Sequence, residues 1–521
     1  MKTPEWLPFV GGDDPVAEPF SERAANWAAA LSYRDVPPPV RRAAKAQLTS
    51  CVGAALRTRT HPLGGRIAEA VPTAGGDATF LGGGQTDPAT AAAGNAALSV
   101  ALEFEGSILG GETGTSSVFV PLAYAEAAGR DGEELLVAQI AANEVAGRLG
   151  AAVPTGPFSG PRAAWIHAAA AAVGRGVIEG DNHETIADAL STALSRPSRR
   201  VGRSWIGSES GVWWTSDPIR DGIAAIDSAR AGIDGPRGLV EAEDGLLSTV
   251  TRQPIPAALD ALGDRWHTEA VSVKAVPGPT PVAAVAEAAL EARGRFDRGR
   301  TTIGTVDVYG PSTLGIENSA AKPHLDGEHV PVAAALRAVS RRTAEAVVTG
   351  EISPATVGVG ETPAAIGRVS DRVESHHDPA LTLEALRSTV PEGIELGEDQ
   401  RAITPHVVRS IGARAALRHP LTVVSAGRRL SKPADPSAVE RRLGARVEIR
   451  TGAGETFEAS VDRPSGVAGA PPAELRATAR NKCRASFVAL GGSKPDSRQS
   501  ADRLLAIDEA AALRIDRLVP V

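Results

Sequence analysis

Apolar positions in the first half of the chain recur at steps of three and four residues, the period of a helix with one buried face. Ala24, Trp27, Ala28 and Leu31 share one side of a segment that Ser21 can cap. Pro38 and Pro39 open the next, with Val40, Leu48, Cys51, Val52 and Ala55 at helical spacing. Asp87-Pro88 joins a capping carboxylate to a first-turn proline, and Ala-rich sequence runs on to Leu102. The same period predicts helices over 121–128, 133–149, 162–173, 183–193 (capped by Asn182) and 219–231.

Near Trp266 the pattern changes. Residues 271–276 (VSVKAV) and 301–309 (TTIGTVDVY) alternate and carry β-branched residues, which predicts strands. Helical periods fill 281–293 and 331–348. Residues 445–450 and 456–461 flank TGAGE, a hairpin signature, and 473–488 returns to helical spacing. The chain therefore reads as mainly α with an α+β lid. A large discontinuous helical domain (15–267 and 471–521) receives an inserted α+β domain (268–470).

With 521 residues the chain is long enough for this plan. Apolar residues at 42% and charged residues at 22% describe a folded chain. Aromatics are only 4%, so its cores are built mostly from Ala, Val and Leu, which suits close-packed helices. A net charge of −7 argues against a general nucleic-acid binder. No apolar run is long enough for a membrane span, and residues 1–14 hold no apolar signal core. Cys51 and Cys483 are too few for a disulfide framework or a four-Cys zinc site, and fit a reducing cytoplasm. Only seven of the 55 basic residues are lysines, so each lysine carries information.

Six stretches, in order, resemble the MmgE/PrpD family, which includes 2-methylcitrate dehydratase and cis-aconitate decarboxylase. They begin at AANWAAALSYRDVPPPVRRAAKAQLTSCVGAAL and AAAGNAALSVALEFEG. SSVFVPLAYAEAAGRDGEELLVAQIAANEVAGRLG, DGIAAIDSARAGIDGP and VSVKAVPG follow. The last is RVEIRTGAGETFEASVDRPSGVAGAPPAELRATARNKCRASF. The resemblance implies a helical domain with an α+β lid, a homodimer, and chemistry without metal or organic cofactor. It also shows what is replaced. The family's LDFDD-like segment reads Leu102-Glu103-Phe104-Glu105-Gly106, with Ser107 where small hydroxyl residues occur. Its His-Pro falls near Thr113-Gly114, its second His within 159–162, and its cleft Lys near Gly211. Lys274 of VSVKAV alone stays in place.

Glu103 is the candidate base, a carboxylate whose pKa burial would raise; the ordinary reading is a solvated helix end. Lys274 could hold a substrate anion as a point charge, or be a strand lysine reaching solvent. Ser107, Thr113, Thr115, Ser116 and Ser117 line SILGGETGTSS, a hydroxyl-rich loop before a helix start. His167, on an Ala-rich helix, could replace a missing imidazole or be a satisfied core histidine. His324 and His329 fall where lid residues of the family approach the cleft. Arg196, Arg199, Arg200 and Arg203 could fork onto a carboxylate or phosphate, or form a solvated loop. His61 reads as a turn residue and His376-His377 as exposed. No spacing points strongly to a metal.

These residues lead to a cofactor-independent lyase of dehydratase type, acting on a small anionic, carboxylate-bearing metabolite. The leaving group could be an activated, phosphorylated hydroxyl in specialised metabolism. Two other readings stay open: a non-catalytic member of the fold, and an isomerase that returns the proton to carbon. The expected partners are the small anionic substrate and a second copy of the chain, with neither nucleic acid nor membrane.

Overall fold

Small side chains set how closely the helices of this protein approach. The computed structural model describes residues 18–108, 111–153, 164–198, 209–251, 254–278, 280–297, 301–311, 332–351, 363–389 and 439–519. The first part is a succession of helices: α1 (Phe20–Ala30), α2 (Pro38–Thr58), α3 (Pro62–Ala70), α4 (Pro88–Val100) and α5 (Gly114–Ala127). After them come α6 (Gly132–Ala152), α7 (Ile166–Glu179), α8 (His183–Leu194), α9 (Ser216–Arg230) and the short α10 (Leu246–Val250). Gly222 lets α9 lie against α7: a Cβ there would stand 2.1 Å from the Ala168 carbonyl oxygen. One apolar cluster draws on α2, α4 and α5, another on α1, α6, α7 and α8.

Most of the helix starts follow the expected chemistry. Asp87 accepts from the Thr90 N–H and Asn182 from the Thr185 N–H. Ser21 does not cap α1. The helix begins one residue earlier, after Pro19, and the Ser21 hydroxyl donates instead to the Arg237 carbonyl. His61 caps α3, its Nδ1 accepting from the Leu63 N–H.

The sheet-bearing part contains α11 (Thr280–Arg293), β3 (Ile303–Gly310), α12 (Val332–Thr349), α13 (Ala364–Ser370), β4 (Val373–His377), α14 (Pro379–Thr389), β5 (Ala445–Thr451) and β6 (Thr456–Val461). The strands β1 (Ala78–Thr79) and β2 (Gln85–Thr86) form a small separate pair. The four-stranded sheet runs β4-β3-β5-β6, with β3 and β4 parallel and the other pairs antiparallel. One face buries Val306, Val308, Val447 and Ile449 together with Val285 and Ala289 of α11. The TGAGE turn closes the hairpin, with Gly454 at φ +86°. Residues 271–276 are not a strand of this sheet, because they spend their alternation elsewhere, as described below.

The chain then returns to the helices through α15 (Pro472–Ala489), α16 (Lys494–Leu505) and α17 (Ile515–Leu518). Cys483, Phe487, Leu504, Ile507 and Ile515 lie in the same cluster as Leu48 and Leu135. Glu126 of α5 accepts from the Ile515 N–H, and the Gly132 N–H donates to Ala510. The described chain is thus mainly helical with a four-stranded sheet and a two-stranded pair, and no helix in it is long and apolar enough to cross a membrane.

Two outcomes follow from this packing. Deleting residues 473–521 strips one wall from the main core, and the product should be insoluble or melt without cooperativity. A soluble, cooperatively melting truncation, seen by calorimetry, would contradict the packing. Gly222→Ala should cost roughly 1–3 kcal/mol in urea unfolding, since the methyl meets main-chain oxygen that cannot move aside.

Candidate functional site

After α4 the chain turns at Glu103, whose φ of +49° lies in the left-handed region that few side chains favour. It then runs extended beside residues 271–278. Ser107 and Ser272 exchange both main-chain hydrogen bonds, Ser107 N–H to Ser272 O at 3.1 Å and Ser272 N–H to Ser107 O at 2.7 Å. In an antiparallel pair, residues two steps out from such a bridge, here Glu105 and Lys274, fall opposite each other on one face. They meet there. Lys274 Nζ donates to Glu105 Oε1 at 2.7 Å and to the Glu103 carbonyl at 2.9 Å. The opposite face is apolar: Ile108, Val271 and Val273 pack on Ala43 and Ala46 of α2 and on Leu475 and Ala479 of α15. The alternation of VSVKAV therefore serves a two-segment ribbon between the helices, not the sheet.

The polar face is buried, with Glu105 1%, Ser107 5%, Ser272 0% and Lys274 4% exposed. It still has unused capacity. Glu105 Oε2 and Ser107 Oγ are buried and make no hydrogen bond among the described residues. An ammonium carries three donors, and among the described residues two of those on Lys274 are engaged. Burial alone would lower the Lys274 pKa, but Glu105, Glu112 and Glu103 outweigh it and hold the group charged above the ordinary lysine range. Burial pushes Glu105 up, only partly offset by Lys274, so this carboxyl keeps a proton more readily than a solvated one.

Helix α6 fixes the entry to the ribbon. Glu144 accepts from the N–H groups of His267 (2.9 Å) and Thr268 (2.7 Å) and from the Thr268 hydroxyl (2.7 Å). Arg148, fully buried, pairs with Glu144 and donates to the carbonyls of Ala261 and Arg265. On the other side the chain reverses between Ile108 and Gly111, which exchange main-chain bonds, and the Gly114 N–H reaches the Gly106 carbonyl at 3.3 Å. Thr113, Thr115, Ser116 and Ser117 thereby sit fully buried at the start of α5, beside the ribbon. Thr113 Oγ1 donates to Asn143 Oδ1 at 2.7 Å. His167 Nδ1 lies 2.9 Å from Ser116 Oγ and 3.3 Å from Thr115 Oγ1, its ring edge-on to Trp214.

Residues 22–258 match the family model of the MmgE/PrpD N-terminal domain. Over that span the chain belongs to the MmgE/PrpD family. Its members include dehydratases and other lyases, so the protein is read as an enzyme of that broad kind. No curated protein sequence matches the chain. The match ends ahead of Lys274, so the ribbon joins a strand of the matched part to a segment beyond it.

Against this MmgE/PrpD geometry, Ser107, Thr113, His167 and Lys274 converge around the ribbon. Glu103 also reaches it, through its main-chain carbonyl, but the carboxylate buried against Lys274 belongs to Glu105. Lys274 is not a strand lysine reaching solvent. Arg196 is exposed at the end of α8. Arg199, Arg200, Arg203, His324 and His329 lie outside the described residues. His376 is half-buried rather than free on the surface: its Nε2 is 2.7 Å from Asp307 Oδ1, and with Glu374 these make the one His/Asp/Glu group among the described residues able to hold a metal. That group sits on β3 and β4, on the sheet and not on the ribbon.

Sequence reasoning passed over two residues. Glu105 was hidden by the acidic position next to it, although its spacing from Ser107 is the alternation of an extended run. Lys482 was counted but not placed. Its Nζ donates to Ser50 Oγ at 2.9 Å and to the Phe104 carbonyl, and stands 3.7 Å over the Phe104 ring. Burial pulls this amine down to about 7, with Cys51 and Glu105 opposing the shift. The same burial pushes the Cys51 thiol up to about 11 and Cys483 to about 12, so both thiols stay protonated.

Lys482 gives a signed pH effect. Between about pH 7 and the ordinary lysine value of 10.5 the folded amine is neutral while the unfolded one is charged. Unfolding then takes up a proton, so raising pH through this window stabilises the fold, by up to about 1.4 kcal/mol per pH unit. Below about 7 both states are charged and that contribution is gone. Lys482→Met should remove the slope. Urea unfolding of both proteins at pH 7 and 9.5 checks it: the wild type should gain on the variant as pH rises, and parallel behaviour would refute the burial argument.

Proposed function

We propose that this protein is a cofactor-independent lyase that removes water from a small hydroxy acid by α-proton abstraction. The observation that carries the reading is the buried polar face of the ribbon. There a charged lysine, two of whose donors are engaged among the described residues, lies beside a carboxylate oxygen and a hydroxyl that have no hydrogen-bond partner among those residues. Lys274 would bind the substrate carboxylate, which acidifies the neighbouring C–H. Glu105, taking the role first considered for Glu103, would accept that proton through Oε2; its raised pKa suits a group that must hold a proton. The C–H and C–O bonds break, a C=C bond forms, and the hydroxyl leaves as water. Its extra proton is supplied by His167 through the Ser116 hydroxyl. We take water rather than phosphate as the leaving group, because phosphate would add two charges beside Glu103, Glu105 and Glu112. Homodimeric assembly, a cytoplasmic setting, a role in specialised metabolism and the division at residues 268 and 470 belong to the same proposal.

Proton NMR of a panel of small 3-hydroxy acids in D2O tests it. The expected outcome is an unsaturated acid, with turnover abolished in Glu105→Gln. Exchange at the α-carbon without elimination would mean an isomerase, and no exchange with any acid a binding protein. The purified protein should turn over neither 2-methylcitrate nor cis-aconitate, since the family's His-Pro and second Lys are replaced.

Stability and catalysis separate in a double-mutant cycle. Lys274→Met or Glu105→Leu alone strands a buried charge or its protonated remnant and should cost about 3–5 kcal/mol. The double variant should recover most of that loss in urea unfolding and stay inactive. Additive losses would show that the pair is not coupled.

A further inference from the structure

A row of carboxylates crosses one face of the four-stranded sheet. Val306, Val308, Val447 and Ile449 occupy the buried face, so Asp307, Tyr309, Arg446 and Glu448 share the opposite one. The registers then align four acids across the strands. Glu374 of β4 stands opposite Asp307 of β3, Asp307 opposite Glu448 of β5, and Glu448 opposite Glu458 of β6. Like charges so placed are destabilising. The neighbouring row, His376, Tyr309, Arg446 and Ser460, holds the groups that answer them. Arg446 pairs with Glu448 and lies 3.6 Å from Glu458, which serves β5 and β6. On β3 and β4 the corresponding group is His376, whose Nε2 is 2.7 Å from Asp307 Oδ1. Among the described residues neither Asp307 nor Glu374 pairs with an arginine or lysine, and an imidazole carries no charge in its neutral form. Tyr309 stacks on that imidazole at 4.9 Å, and the Arg446 guanidinium lies 3.7 Å from the centre of the Tyr309 ring, so the histidine is held over the acids.

We infer that Asp307, Glu374 and His376 form a binding site for a divalent transition cation such as Zn2+, which clamps strand β4 to strand β3. One donor atom from each residue lies within 4.8 Å of the other two. An ion that holds each donor at about 2.1 Å sets tetrahedral neighbours about 3.4 Å apart, so modest side-chain rotations close the site. The imidazole nitrogen favours Zn2+ over Ca2+ and Mg2+, which take oxygen ligands. Two carboxylates balance the charge of the ion, and the repulsion between Asp307 and Glu374 gives way to attraction through it. At Nε2 the ion takes the place of a proton, with the imidazole in its Nδ1–H tautomer. Three protein ligands leave a fourth position for water. The clamp falls where the sheet is weakest, since β4 is an edge strand of five residues hydrogen-bonded to β3 alone. The site lies on the sheet and does not rest on the lyase reading.

Isothermal titration calorimetry of the chelator-stripped full chain with ZnCl2 tests the inference, with MgCl2 and CaCl2 for comparison. Zn2+ should bind more tightly than either. His376→Gln and Glu374→Gln should each weaken Zn2+ by at least about ten-fold, as expected for the loss of a ligand. Glu448→Gln, in the half of the row that Arg446 serves, should leave it within about three-fold. Saturating Zn2+ should raise the Tm of the wild type and leave that of His376→Gln unmoved, because an ion that binds only the folded state stabilises it. Should His376→Gln fail to fold, Glu374→Gln carries the same comparison, since its side chain is exposed. Zn2+ binding that survives both ligand substitutions would place the ion elsewhere and overturn the inference. So would the absence of Zn2+ binding, a preference for Mg2+ or Ca2+, or equal weakening by Glu448→Gln, which would describe a diffuse acidic face instead of a site.

Discussion

A buried ammonium must keep a carboxylate beside it. Taking Lys274 and Glu105 out of water costs several kcal/mol for each ion, and their contact at 2.7 Å repays this only while the geometry holds. The surrounding structure is arranged to hold it. The Ser107–Ser272 bridge sets the register, the apolar face of the ribbon is pinned between α2 and α15, and Glu144 with Arg148 fixes where residues 267–268 dock on α6. The pair therefore joins the loop after α4, the segment that leads to the sheet and the returning helix α15. A shift of one residue in either extended segment would turn Lys274 toward the alanines of α2.

The resemblance implies imidazoles where the described chain carries hydroxyls and carboxylates. Where relatives carry His-Pro, this chain buries Thr113, Thr115, Ser116 and Ser117 at the start of α5, satisfied by Asn143, His167 and their own backbone. Hydroxyls relay protons but are poor acids, so the proposed chemistry would lean on Glu105 and on the charge of Lys274. The helices are set by small-residue packing, whereas the proposed chemistry would be set by a few polar positions on one ribbon.

Much of the fold was readable in the residues. Asp87 and Asn182 capped the helices they were expected to cap, TGAGE closed its hairpin, and the helical period of 473–488 reappeared as α15, because each of these depends on neighbours within a few residues. Ser21 misled, since a hydroxyl near a helix start can bond elsewhere, here to Arg237, 216 residues away. The alternation of VSVKAV was also read correctly as extended, but nothing in it pointed to Ser107 as its partner. Period two says which side chains share a face; it does not say what the backbone pairs with.

For the site, composition and motif singled out Lys274 and the hydroxyl loop, and local pattern marked residues 102–107 as special. Which carboxylate Lys274 would choose was not a property of either segment. Glu103 and Glu105 differ only by two positions in sequence; the left-handed turn at Glu103 and the Ser107–Ser272 bridge, 165 residues apart in the chain, bring the second one opposite Lys274. Lys482 is the same case: an unremarkable helix lysine by sequence, made a buried amine by the docking of α15 onto α2. Local sequence determined the elements and the faces they present, because those depend on backbone sterics and short-range periodicity. Burial, ion pairing and shifted proton affinities were decided only by tertiary structure, because they depend on which distant segments exclude water from one another.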